Sequence, residues 1–145
     1  MAMRSRTVRS CVAAVAACLA LSLAAQGVPK PKLKRPTLNL RATPRMAFSP
    51  VTVFLTAELT GGDDVEDYYC PQLEWEWGDG GKSVQEGDCA PFEQGVSRID
   101  RRFTTDHEYR RAGVFNISVL LRRANRAIAK ADVRVTIRPG MADPR

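Results

Sequence analysis

Apolar and polar residues alternate along several short stretches of this chain, and that alternation sets its elements. In residues 51–59, VTVFLTAEL, the side chains of Val51, Val53, Leu55, Ala57 and Leu59 fall on one side. Thr52, Thr56 and Glu58 fall on the other, the period-two pattern of a strand with one buried face. Phe54 departs from the pattern and points to the polar side. Residues 113–121, GVFNISVLL, set Phe115, Ile117, Val119 and Leu121 against Asn116 and Ser118. Residues 129–137 set Ala131, Val133, Val135 and Ile137 against Lys130, Asp132, Arg134 and Thr136. A shorter strand is predicted in residues 37–44, and another in residues 97–109, with Phe103, Thr105, His107 and Tyr109 in one register. No stretch after residue 25 carries a helical period. Short alternating strands separated by turn residues predict an all-β chain, an immunoglobulin-like antiparallel β-sandwich of about seven strands.

The strand in residues 73–77, LEWEW, has an unambiguous orientation. Leu73, Trp75 and Trp77 share one face and Glu74 and Glu76 the other. Carboxylates are almost never buried without a partner, so the glutamates face water and the indoles face the core. The following Gly78-Asp79-Gly80-Gly81 reads as a sharp turn, because glycine accepts positive φ and Asp bonds its own backbone.

The first 25 residues have a different character. Arg4, Arg6 and Arg9 precede an apolar run over residues 11–25, and Ser22-Leu23-Ala24 offers a small-x-small exit. That order describes a secretory signal peptide, and the run falls short of the ~20 residues that span hydrocarbon. Val15 to Cys18, VAAC, also fits a lipoprotein cleavage box, in which acylated Cys18 would provide a membrane anchor. Residues 26–36, QGVPKPKLKRP, read as a basic Pro- and Lys-rich linker. Residues 37–139 hold the sandwich, and residues 140–145 are a tail without periodicity. These segments place the protein outside the cytoplasm: secreted, periplasmic or at the cell envelope.

Charge changes the picture modestly. Without residues 1–25 the net charge falls from +6 to +3, too little for a nucleic-acid footprint, and no basic stripe interleaved with aromatics is present. What remains is segregated. Residues 26–57 hold six bases and no acid, residues 58–93 eleven acids and only Lys82, and residues 94–145 twelve bases and five acids. Two cysteines remain beyond the leader, Cys70 and Cys89. In an exported chain such a pair predicts a disulfide.

At this point the residues resemble a known family, the polycystic-kidney-disease (PKD) domain. Its motif is an apolar residue, then Trp-Asp-Phe-Gly-Asp-Gly, then His-x-Tyr, a Gly and an aromatic that opens an alternating strand. Here Leu73 stands at the leading position, Trp75 at the Trp, Glu76 at the Asp and Trp77 at the Phe. Gly78, Asp79 and Gly80 match outright, as do His107, Tyr109, Gly113 and Phe115. The resemblance covers about residues 37–139. It departs from the family at Glu76 and Trp77, and in a long loop over residues 81–102 that carries Cys89. It implies an exported, non-catalytic sandwich that mediates protein or polysaccharide contacts or acts as a spacer.

Candidate chemistry is sparse. His107 is the only histidine, and no serine of the nucleophile-elbow kind accompanies it. Its expected role is structural, bonded to the turn at Asp79, with Tyr109 as a tyrosine corner. Asp63, Asp64, Glu66 and Asp67 crowd one loop and are the candidate calcium ligands, though their spacing is not that of an EF-hand. No other cofactor is expected, and phosphate binding lacks a glycine-rich strand-to-helix signature. Phe54, Tyr68, Tyr69 and Phe92 are the candidate ligand surface. Three of them lie near the cysteines, which suggests as an alternative a carbohydrate-binding module built on the Tyr68/Tyr69/Phe92 loop. A second alternative is a small hydrolase using the acidic loop and His107.

Overall fold

The computed structural model describes residues 32–141. The expected leader over residues 1–25, residues 26–31 of the linker and residues 142–145 of the tail lie outside the described residues. Eight strands follow in order: β1 (Thr37–Thr43), β2 (Met46–Phe48), β3 (Val51–Thr60), β4 (Gln72–Glu76), β5 (Lys82–Gln85), β6 (Arg102–Tyr109), β7 (Gly113–Arg123) and β8 (Arg126–Arg138). They form a three-stranded sheet, β1-β3-β6, and a five-stranded sheet, β2-β8-β7-β4-β5. Every pair is antiparallel except β2 with β8. A single 3₁₀ turn, Glu66–Tyr68, interrupts the β structure.

The alternation places the core between the two sheets. Val53, Leu55, Ala57 and Leu59 of β3 are buried, and so are Leu73 and Trp75 of β4, Ile117, Val119 and Leu121 of β7, and Val135 and Ile137 of β8. Fully burying each of the larger aliphatic groups contributes roughly 1.5–3 kcal/mol. Both indoles are inside, with Trp75 0% and Trp77 4% exposed. Phe54 points outward from β3, as its position in the alternation requires.

Three details differ from the expectation of about seven strands. The expected strand over residues 37–44 is β1, which pairs with β3, and an unexpected short strand follows: after Pro44 the chain crosses to the other sheet, where β2 runs alongside β8. The long loop after Gly81 contains a strand, β5, which adds an edge to the five-stranded sheet by pairing with β4. The strand expected from residue 97 begins only at Arg102. The last two strands also extend beyond the apolar runs and meet at Ala124-Asn125, where both residues have positive φ (45° and 63°). Two left-handed residues give a two-residue hairpin whose twist matches its strands. Ser118, expected on the polar side of β7, is covered there: its hydroxyl donates to Glu76 Oε2 at 3.3 Å.

Candidate functional site

One end of the sandwich carries the motif residues. After β4 the chain turns through Gly78 (φ +80°) and Gly80 (φ +95°). A Cβ on Gly78 would lie 2.7 Å from the Asn116 carbonyl oxygen, so β7 leaves room for glycine alone. The Gly81 N–H donates to Asp79 Oδ1 at 2.9 Å, and Trp77 N–H donates to the Gly81 carbonyl at 3.1 Å. On the opposite sheet His107 Nε2 lies 2.7 Å from Asp79 Oδ2. The imidazole stacks parallel on Trp77 with centroids 4.5 Å apart, and Trp77 lies parallel to Trp75 at 5.7 Å. Tyr109 meets His107 edge-on at 4.7 Å and stacks on Phe115 at 4.4 Å. Its hydroxyl donates to the Trp77 carbonyl at 2.7 Å. Gly113 is small because a Cβ there would meet the Phe115 ring at 2.8 Å.

Electrostatics follow from this packing. Burial by itself would raise the Asp79 carboxyl. Hydrogen bonds from His107 and the Gly81 N–H, with the positive field of His107, outweigh it and hold Asp79 below its ordinary value. Burial pushes the Tyr109 phenol well above its ordinary range, and the Asp79 charge adds to that. The expected motif side chains are therefore used in tying sheet to sheet. His107 and Asp79 form a couple, and among the described residues no Ser, Thr or Cys hydroxyl or thiol is bonded to either.

The candidate ligand surface lies at the opposite end. Tyr69 and Phe92 meet edge-to-face, centroids 5.4 Å apart. The disulfide Cys70–Cys89 fastens the Phe92 loop to the start of β4, and Arg123 Nη1 donates to the Tyr69 carbonyl at 2.8 Å. Phe92 separates two clefts. One, of about 520 Å³, is lined by Leu33, Val65, Gln94, Arg98 and the acidic loop. The other, of about 310 Å³, lies over the disulfide and is lined by Tyr69, Pro91 and Arg123. Tyr68 is not on this surface. Only 3% exposed, it turns inward from the 3₁₀ turn and joins the core, so a platform of Tyr68, Tyr69 and Phe92 reduces to two rings. Phe54 stands apart, on the outer face of the three-stranded sheet between Thr43 and Asp106.

The acidic loop is engaged rather than open. Asp64 pairs with Arg98 at 3.0 Å and Arg101 at 3.1 Å, and Asp67 pairs with Arg126 at 2.7 Å. The hydrogen bond from Arg98 is the main cause that holds the Asp64 carboxyl below its ordinary value. Asp63 accepts from the Lys34 backbone N–H at 2.7 Å. The four carboxylates expected as calcium ligands do not converge, and among the described residues no three His, Cys, Asp or Glu side chains are grouped to hold a metal. Sequence reading missed these arginines, because each partner lies 34 to 59 positions from its carboxylate. Nor does the fold unite the acidic loop with His107. His107 sits opposite Val53, and the loop begins after Thr60. Seven residues of extended strand separate them by about 23 Å, too far for one glycosidic bond.

No protein-family model matches the sequence, and no curated protein is similar to it. Solved structures are. The PKD domain of an M14-like peptidase from a Thermoplasmatales archaeon aligns over 75% of this chain and all of its own length, with a TM-score of 0.51 and 17% identity. A CARDB domain from Pyrococcus furiosus, crystallised in complex with di-metal ions, aligns over 75% of this chain and 99% of its own at 9% identity, with a TM-score of 0.46. The described residues thus have the fold of a PKD domain, an immunoglobulin-like sandwich of two sheets.

Proposed function

We propose that this chain is an exported, non-catalytic sandwich module that contacts a protein or polysaccharide, or spaces its neighbours, at the cell envelope or outside it. One observation carries the reading. The polar motif residues, Asp79, His107 and Tyr109, are engaged in structural bonds with each other, the Gly81 turn and the Trp77 carbonyl, at the end of the sandwich where the two sheets are tied. Residues 1–25 supply the export pattern, and a Cys70–Cys89 bond fits an oxidising compartment. No helix of the described residues is long and apolar enough to cross a membrane. Mass spectrometry of protein recovered outside the cytoplasm tests export. The expected mass lacks residues 1–25, is two hydrogens lighter for the disulfide and carries no acyl group. Intact protein confined to the cytoplasm with reduced cysteines overturns the reading, and an acylated Cys18 replaces the free form by a lipoprotein.

A second reading, glycan binding, is favoured by the Tyr69–Phe92 pair. The two rings border clefts that also present Gln94 and carboxylates, and the disulfide braces them in advance, which lowers the ordering cost of binding. Tyr69→Ala and Phe92→Ala are expected to abolish retention on a polysaccharide column while the thermal midpoint stays near that of the parent. Retention that survives both substitutions excludes this surface as the glycan site.

A further inference from the structure

The outer face of the five-stranded sheet carries a feature that neither the motif nor the aromatic loop absorbs. Where β2 joins β8, the outward row runs Val114, Thr136, Met46, and the next row continues through Arg138 to Phe48. Met46, Phe48 and Val114 are 58%, 63% and 53% exposed. Ala47, between the first two, turns inward against the core, so Met46 and Phe48 both stand out into solvent. Two guanidinium groups border the apolar trio on the outward row of β8: Arg134 before Thr136 and Arg138 after it. Arg45 immediately precedes Met46 at the sheet edge, held by the hydrogen bond from Thr136 N–H to its carbonyl.

Several cations elsewhere in the molecule are matched to a carboxylate. Arg98, Arg101, Arg102, Arg110, Arg122 and Arg126 are all ion-paired. Among the described residues Arg45, Arg134 and Arg138 pair with no carboxylate, and the one acid in the outward row of β8 near them is Asp132, two positions before Arg134. The face therefore combines protruding apolar side chains with uncompensated positive charge.

We infer that this face docks on the surface of an anionic lipid bilayer. Charge complementarity selects an anionic partner, and the apolar trio selects among anionic partners. A soluble polyanion would use the arginines and gain nothing from Met46, Phe48 and Val114. A stable protein–protein contact buries about 800 Å² on each side and engages 20 or more residues, far more than this trio and its rim. A bilayer needs only a few side chains inserted at the headgroup boundary, with basic residues beside them to engage the phosphates. The contact does not depend on acylation at Cys18 and lies on a different surface from the Tyr69–Phe92 pair.

Vesicle co-sedimentation of the full chain tests this, with phosphatidylcholine vesicles compared against phosphatidylcholine containing one third phosphatidylglycerol. Each variant keeps residues 1–25, and lipid is titrated to where the parent is half bound, so that binding by that apolar segment cannot saturate sedimentation and hide a change in affinity. The parent is expected to sediment with the anionic vesicles and to be released by added salt, since the attraction is screened. A basic side chain near an anionic surface tightens binding about fivefold, so Arg134→Ala with Arg138→Ala should weaken it about 25-fold. Arg134→Lys with Arg138→Lys, which keeps the charge, should restore most of it, which separates lost charge from a disturbed strand. Phe48→Ser should weaken binding to both vesicle types. Equal sedimentation of the parent and the double alanine variant overturns the inference. So does loss on charge removal without loss at Phe48→Ser, which would leave a polyanion site with no insertion. Tyr69→Ala should sediment like the parent, so failure of the glycan reading leaves this test intact.

Discussion

Asp79 makes two attachments with one carboxylate, closing the Gly81 turn through Oδ1 and reaching His107 on the other sheet through Oδ2. Its carboxyl is held below the ordinary value, so it stabilises the fold wherever it is ionised. That stability is fully present above the unfolded value of about 3.9 and is lost as pH falls through the lower folded one. Asp79→Asn is expected to cost about 1.5 kcal/mol at pH 7, the lower end for a hydrogen bond to a charged group, because the Asp79 side chain is partly exposed to water. As pH falls below about 4 the gap between parent and variant should begin to narrow, and it closes once pH is under the lower folded value, where the parent carboxylate is protonated too. Thermal midpoints measured across pH check this, and a gap that is constant down to pH 2 would contradict it. Single residues were unevenly legible in the sequence. The inward set Leu73, Trp75 and Trp77 followed from the glutamates between them. Tyr68 and Tyr69 could not be told apart, because they sit at an irregular 3₁₀ turn where no period says which ring turns in.

Among the elements, the loop between Cys70 and Cys89 holds β5, whose one strand neighbour is β4. An edge strand with one partner has little of its own to keep it in place, so the covalent link at Cys89 matters beyond the loop that contains it. Cys89→Ser is expected to lower unfolding free energy by about 3 kcal/mol, the loop-closure entropy for a loop of this length. Urea unfolding measures it, and a loss below about 1 kcal/mol would mean that the loop is ordered by its other contacts. Strands buried on one face, β3, β7 and β8, were legible because burial imposes alternation. β5 was not, since Lys82, Ser83 and Gln85 surround a single apolar residue, Val84, that is itself exposed, and an exposed edge imposes no pattern. β2 is only three residues long. The Ala124-Asn125 hairpin lacks the glycine that usually announces one.

For the whole molecule, the two layers were readable in advance from alternation, and the motif that joins them from its resemblance to a known family, although its partners lie 28 and 32 positions apart. The surfaces were not. Arg98 and Arg126 neutralise Asp64 and Asp67 from far along the chain, and Met46 and Val114 come to flank Thr136 only when β2 lies on β8. Such pairings belong to topology, which alternation does not encode. The crossing of the first segment from one sheet to the other has a mechanical consequence. β2 lies near the start of the described chain, β8 near its end, and the two run in the same direction. Tension applied between Lys32 and Met141 would drag them past each other lengthwise. The bonds from Ser49 N–H to the Arg138 carbonyl and from Thr136 N–H to the Arg45 carbonyl would then share the load and break together, instead of unzipping one at a time. A module fastened this way resists stretching along the line on which a tether would pull it.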